Sequence, residues 1–321
     1  MSSAPPEPGS TRTKRAPIRG FARCERDKPL AFARQEGLWT LTPWPAGNQN
    51  RGCGKRSTTG MTNLMHFGPG RAPRAGRLVR PEWEALRATA PPSDTFDRAM
   101  TTHLPEPVGR WLKHAITPGT PLWEFVELEM HGEIRVGSWR RFTARQILRP
   151  SRGYIWAATA RFSGLPVLGY DRLSSGTAQM RWRMLGVVPV LSASGADVAR
   201  SAAGRLAGEG VLVPTAFRQA TWQHPRGKDT ARACWHVDGQ DEHVDLHVGP
   251  DGRLLEVVLQ RWGNPGGAPF GRYPFGVGVE AERTFAGVTI PSALRAAWWW
   301  GTDRQDEGEF FRAEITAARF G

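Results

Sequence analysis

Downstream of about residue 120, apolar residues recur at every second position, the period of a half-buried β-strand. Val126, Leu128 and Met130 alternate with Glu127, Glu129 and His131. Over 153–162, Tyr154, Trp156, Ala158, Ala160 and Phe162 share one strand face, with Ala157, Thr159 and Arg161 on the other. Runs at 165–173 and 177–188 flank Ser174-Ser175-Gly176 and read as a hairpin; Ala178, Met180, Trp182 and Met184 take one side, Gln179, Arg181 and Arg183 the other. Trp222 and the runs 231–237 and 242–248 add more strands. A two-residue loop at Asp238-Gly239 sets Cys234 opposite His243, His236 opposite Asp241 and Arg232 opposite Asp245. Segment 251–311 contributes a strand carrying Val257 and Leu259, a stop at Gly263-Asn264-Pro265-Gly266-Gly267, a strand over 276–285, an Ala286-Gly287 turn and a strand over 288–300. Connections this short join antiparallel neighbours, because a parallel crossover needs a dozen residues or more.

Helical spacing appears in fewer places. Over 103–116, Val108, Trp111, Leu112 and Ala115 recur at i, i+3, i+4 and i+7, with Pro105 and Pro107 in the opening turn. Over 194–210, Val198, Ala202, Ala203 and Leu206 form a narrow stripe of small residues, with Ser194 as cap and Asp197 in the first turn. Gly204 and Gly208 weaken that helix by about 1 kcal/mol each relative to Ala, so it depends on tertiary contacts. A short helix starts at Pro81, and 143–148 reads as a helical or turn segment. The pattern implies an α+β fold: a strongly curved, half-barrel-like antiparallel sheet of about 9 to 11 strands over about 120–320. The helices at 103–116 and 194–210 are expected on its concave side.

Fourteen Trp and 14 Phe against 3 Tyr add a functional element to this picture. Trp156 and Trp182 fall on apolar strand faces, and strand alternation puts Trp298 and Trp300 on one face with Trp299 opposite. A curved sheet lined by Trp156, Met180, Trp182, Met184, Trp298 and Trp300 encloses an apolar pocket, or the same residues fill a core. The function this favours is non-catalytic binding of an apolar or lipid-like ligand. Asp303, Asp306, Glu307 and Glu309 supply the alternative, since paired carboxylates perform acid/base chemistry when burial separates their pKa values. Asp303 and Glu309 are the candidates for such an enzyme; a turn whose carboxylates pair with Arg295, Arg304 or Arg312 is the plainer role. A structural or protein-interaction domain is the remaining reading.

Charge and cysteines exclude other classes. The net charge is +13, but residues 1–99 hold 17 Lys+Arg against 8 Asp+Glu, which leaves only +4 for the rest, so a nucleic-acid partner is not expected. Residues 1–80 are basic and rich in Pro, Gly and Arg, and are expected to be a disordered tail, with Met61 or Met65 as a later natural start; 81–321 is expected to be a single domain. Lys55 follows Gly54, yet Gln49 stands where a phosphate loop needs Gly and Arg56 separates Lys55 from Ser57. Cys24, Cys53 and Cys234 form no disulfide framework. Cys234, His243 and His247 share a strand face, but its apolar counterparts Trp235, Val237, Val244 and Leu246 make that face the solvated one, so no metal and no cofactor are expected. The longest apolar run, 185–191, is too short to span a membrane and no signal peptide is visible, which places the chain in the cytoplasm by expectation.

Several segments carry a resemblance: Leu104-Pro105-Glu106-Pro107-Val108, Gly169-Tyr170-Asp171-Arg172, Met180-Arg181-Trp182-Arg183, the helix 197–205, Arg261-Trp262-Gly263-Asn264-Pro265, Pro274-Phe275-Gly276, Ile290-Pro291-Ser292, Gly301-Thr302-Asp303-Arg304 and Glu307-Gly308-Glu309-Phe310-Phe311. Over about 81–320 the chain resembles a bacterial family of uncharacterised proteins, a domain of unknown function. The resemblance implies boundaries and no activity. By architecture alone the chain is also similar to half-barrels of the lipoprotein-carrier type.

Overall fold

Two strand meanders meet along their first and last strands. The computed structural model describes residues 72–237 and 239–321, so the expectations for the upstream tail and for Asp238 in its turn lie outside the described residues. The first meander is β1 (Val126–Val136), β2 (Ser138–Arg149), β3 (Gly153–Phe162), β4 (Leu165–Ser174), β5 (Thr177–Met184) and β6 (Val188–Ser194). The second is β7 (Thr221–Gly227), β8 (Thr230–Val237), β9 (Gln240–Val248), β10 (Leu254–Gly263), β11 (Gly271–Phe285), β12 (Val288–Trp298) and β13 (Glu309–Phe320). Antiparallel pairing of β1 with β13 joins them into one sheet of 13 strands, ordered β6-β5-β4-β3-β2-β1-β13-β12-β11-β10-β9-β8-β7.

The strand count exceeds the 9 to 11 expected, and the additions have physical causes. The segment read as helix or turn at 143–148 belongs to β2, whose last six residues are all buried. Both faces of the sheet are covered there, so the polar alternation that advertises a strand is missing. The run 177–188 is broken at Leu185 and Gly186, where φ is 55° and 78°, and β6 follows as a separate strand. β13 contains Arg312, Ala313, Glu314, Ala317 and Ala318, residues without strand preference, yet it pairs with both β1 and β12 in the middle of the sheet.

Among the described residues four α-helices accompany the sheet: α1 (Arg80–Arg87), α2 (Glu106–Ala115), α3 (Ala196–Glu209) and the short α4 (Gln305–Gly308). α3 carries the chain from β6, one edge of the sheet, toward β7, the other edge, and touches β4, β5 and β6 as well as β8, β9 and β10. In a flat sheet, β5 and β9 would stand roughly 43 Å apart at ~4.8 Å per strand. A helix only ~10–12 Å thick reaches both, so the sheet must curl around it. α2 joins the same inner core, where Trp111 meets Phe217 edge-on with ring centroids 5.1 Å apart.

α1 lies on the other side. Trp83, Leu86 and the preceding Val79 pack on Ile147, Ile155, Ala157 and Tyr170, which alternate with the inward Leu148, Tyr154, Trp156 and Ala158. On this outer face Trp83 Nε1 donates to Glu127 Oε1 at 2.9 Å, and Arg87 and Arg319 ion-pair with the same buried carboxylate. The described elements begin upstream of Pro81, in a 3-10 turn at Arg74–Val79. No helix among the described residues is long and apolar enough to cross a membrane.

Candidate functional site

Between α3 and the inner face of the curled sheet lies a cavity of about 540 Å³. Strand alternation supplies its apolar wall: Met130 and Ile134 from β1, Trp156 from β3, Met180 from β5, Val257 and Leu259 from β10, Phe275, Val277 and Val279 from β11, Leu294, Ala296 and Trp298 from β12, and Phe311, Ala313 and Ile315 from β13. Val198, Ala202 and Gly204 of α3 form the roof; their small size lets the helix approach the strands closely. The exposed lining residues Arg135, Gly137, Gly266, Arg304 and Glu307 mark the mouth, where Arg304 stacks on Trp299 at 3.9 Å from the ring centroid.

A polar network occupies the wall beneath α3. Arg205 donates to Glu209 Oε1 at 2.6 Å and to Asp171 Oδ2 at 3.3 Å. Gln146 Nε2 donates to Glu209 Oε2 at 2.6 Å, and Trp182 Nε1 to Asp171 Oδ1 at 2.9 Å. The Arg205 guanidinium lies 4.6 Å from the Tyr154 ring centroid and 5.5 Å from that of Trp156. Burial pushes the Asp171 carboxyl above the ordinary carboxylate range, against the pull of Arg205 and Trp182. Burial likewise raises the Tyr154 phenol to about 12. Burial disfavours the Arg205 charge, but Glu209, Tyr154 and Asp171 outweigh it and hold the guanidinium protonated.

Arg261, from β10, is placed differently. Its Nε donates to the Ser201 carbonyl at 3.2 Å, and its guanidinium lies 4.7 Å from the Phe275 ring centroid and 5.4 Å from that of Trp298. Burial, followed by repulsion from Arg205, brings its pKa down to about 10, so it remains charged at neutral pH.

Of the six residues expected to line a pocket, Trp156, Met180 and Trp298 do so. Trp182 and Met184 face the inner side but pack into the core beside the cavity. Trp300 sits on the outer face over Gly276 and Gly278, with its Nε1 3.4 Å from Glu256 Oε2. Trp299 takes the cavity position instead, because its φ of 54° ends strand alternation one residue early. Glu309 lines the cavity and is ion-paired with Arg312, whereas Asp303 is exposed in the turn after Trp300 and outside the lining. The structure does not bring these two carboxylates together as an acid/base pair.

The strand pairs Cys234–His243, His236–Asp241 and Arg232–Asp245 have the register expected. Cys234 Sγ lies 3.2 Å from His243 Nδ1, and Arg232 holds Asp245 through two bonds of 2.6 Å. Among the described residues, no three of His, Cys, Asp and Glu gather as a metal-binding group.

Sequence reasoning missed Tyr154, Asp171, Arg205 and Arg261 as site residues. A signal was present: Asp171 and Arg261 occupy the apolar phase of their strands, Arg261 following Val257 and Leu259 at the same two-residue spacing. Many segments that carry the family resemblance meet at this cavity, including Asp171, Arg205, Arg261, Asn264, Phe275, Arg304 and Phe311.

The model of a family of unknown function (DUF6544) matches residues 94–311, and the chain belongs to that family. No curated protein matches the chain. Among solved structures, a LolA superfamily protein from Nitrosomonas europaea is similar at 10% identity and a TM-score of 0.36, covering 67% of this chain and 92% of that one. A DUF1329 family protein from Desulfovibrio piger is similar at 11% identity and a TM-score of 0.31, covering 62% and 86%. Scores this low carry no argument about a ligand.

Proposed function

We propose that this chain is a non-catalytic binding protein that holds an apolar or lipid-like ligand beneath α3. The observation that carries the reading is the cavity itself: about 540 Å³, walled by apolar side chains from both meanders and open to solvent at one end. That volume falls within the ~300–1,000 Å³ of ordinary ligand pockets. Trp156, Met180 and Trp298 supply wide apolar surfaces for contact. An enzyme working through Asp303 and Glu309 has no comparable support, since one carboxylate is exposed and the other is neutralised by Arg312.

The test is a titration of purified protein with a fluorescent fatty-acyl probe. Saturable binding at one probe per chain is expected. Leu294→Trp, which places an indole in the cavity from β12, should weaken that binding by about tenfold or more. A parent protein that binds no probe, or a filled variant that binds as well as the parent, would overturn the reading.

A further inference from the structure

The cavity contains a cation that no acid among the described residues pairs with directly. Arg205 is held by Glu209 and Asp171, Arg172 by Glu82 at 3.3 Å, and Arg304 by Glu307 at 3.2 Å. Arg135, at the mouth, donates to the carbonyls of Glu307 and Glu309. Arg261 is only 9% exposed, and among the described residues no carboxylate lies within ion-pair distance of it. Its neighbour across the strands, Glu242, is committed to Arg272 through bonds of 2.9 and 3.0 Å. The only hydrogen bond Arg261 makes among the described residues uses Nε, so none of those residues offers Nη1 or Nη2 an acceptor. The Ser201 hydroxyl, on the residue whose carbonyl receives that bond, is also buried without a partner among the described residues.

Glu209 and Asp171 attract Arg261 only from beyond ion-pair distance and are already held by Arg205. Burying a guanidinium with no carboxylate paired directly to it is unfavourable, and the faces of Phe275 and Trp298 offset only part of that cost. The arrangement is complete if the missing acid arrives with the ligand. A guanidinium whose terminal nitrogens are free presents the forked donor geometry that matches a carboxylate or a phosphate. The same strand face that carries Arg261 continues through Leu259 and Val257, beside Phe275 and Val277, and gives an apolar track leading away from the charge.

We infer that the cavity selects an acyl-chain amphiphile with an anionic head group, a carboxylate or a phosphate monoester, whose head pairs with Arg261 while its chain lies along β10 and β11. This rests on the proposal that the cavity binds apolar ligands at all. Neutral lipids of equal chain length bind more weakly, because they leave Arg261 buried and unpaired.

The experiment measures displacement of a neutral fluorescent acyl probe by oleate, by oleoyl lysophosphatidic acid and by oleyl alcohol, which share one chain and differ in the head. The parent protein is expected to bind at least one of the two anions about tenfold to a hundredfold more tightly than the alcohol. The preferred anion identifies the source of the charge as a free fatty acid or a lipid phosphate. Arg261→Met should erase that preference while leaving oleyl alcohol affinity within about twofold, and Arg261→Lys should restore part of it. Equal affinities of the parent for all three compounds, or a preference that survives in Arg261→Met, would overturn the anionic subsite. The comparison on the parent decides the matter even if the methionine variant fails to fold. If none of the three displaces the probe and the probe itself does not bind, the cavity reading fails instead.

Discussion

Three tryptophans among the described residues lie on glycines of other strands. The Trp182 ring covers Gly169, its register partner; Trp298 covers Gly263, and Trp300 covers Gly276. A Cβ at Gly169 would stand 2.3 Å from the Trp182 ring and one at Gly276 2.1 Å from that of Trp300, so these glycines provide space for the indoles. Trp182 is also 5.7 Å from Trp156, centroid to centroid, and bonded to Asp171, which makes it filled core that supports the cavity wall. Trp182→Ala should therefore cost about 3–5 kcal/mol in a denaturant titration, as for other buried aromatics. A cost below about 1 kcal/mol would mean that Trp182 faces open space, because a residue with few packed neighbours has little to lose. Strand periodicity was sufficient to put Trp156, Met180 and Trp182 on the inner face. It failed at Trp299 and Trp300, where one left-handed residue reverses the facing and local pattern gives no warning.

At the scale of the element, α3 decides whether a cavity exists. Its buried side, Val198, Ser201, Ala202, Ala203, Leu206 and Ala207, is made of small and medium residues, so the helix sits near β10 without filling the space in front of Val257 and Leu259. Glycine within a helix sacrifices stability, and the two glycines of α3 differ in what a methyl would meet. At Gly204 an added Cβ would lie 3.3 Å from the Arg261 side chain and 3.4 Å from Glu242 Oε2. At Gly208 the nearest atom is a Leu259 methyl at 3.6 Å, ordinary contact. Gly208→Ala is therefore expected to raise stability by about 0.5–1 kcal/mol through helix propensity, read as a higher urea midpoint at unchanged slope. A lower midpoint would show that α3 cannot accept a methyl at this contact. The helix and its small-residue stripe were legible in the sequence, but its cap was not: Gly195, at φ 105°, occupies the position expected for Ser194.

For the whole molecule, the two faces of the sheet have separate covers. α2 and α3 occupy the inner side, while α1 and the 3-10 turn before it seal Ile147, Ile155 and Tyr170 on the outer side. Comparing a chain that starts at residue 72 with one that starts at residue 88 tests this second cover. The shorter chain loses three nearly fully buried side chains, Val79, Trp83 and Leu86, and two partners of the buried Glu127. At about 1.5–3 kcal/mol per large apolar side chain, and 2–4 °C per kcal/mol for a domain of this size, its melting temperature should fall by roughly 10 °C or more. Equal melting temperatures would mean that α1 is dispensable and the outer face is stable when wet.

The sequence by itself determined the α+β class, the hairpin of β4 and β5, the antiparallel connections from β8 to β12, helices within the segments 103–116 and 194–210, and the register of β8 on β9. Each of these follows from short-range rules: the two-residue and 3.6-residue periods, and the turn chemistry of Ser175-Gly176, Asp238-Gly239 and Ala286-Gly287. Tertiary structure alone decided that β1 pairs with β13, that β2 is a strand although both of its faces are covered, and that α1 packs outside. It also decided that Asp171, Arg205 and Arg261, remote in sequence, converge beneath one helix. These outcomes depend on which surfaces meet after the sheet curls, and burial by a distant segment removes the polar alternation from which a local pattern is read.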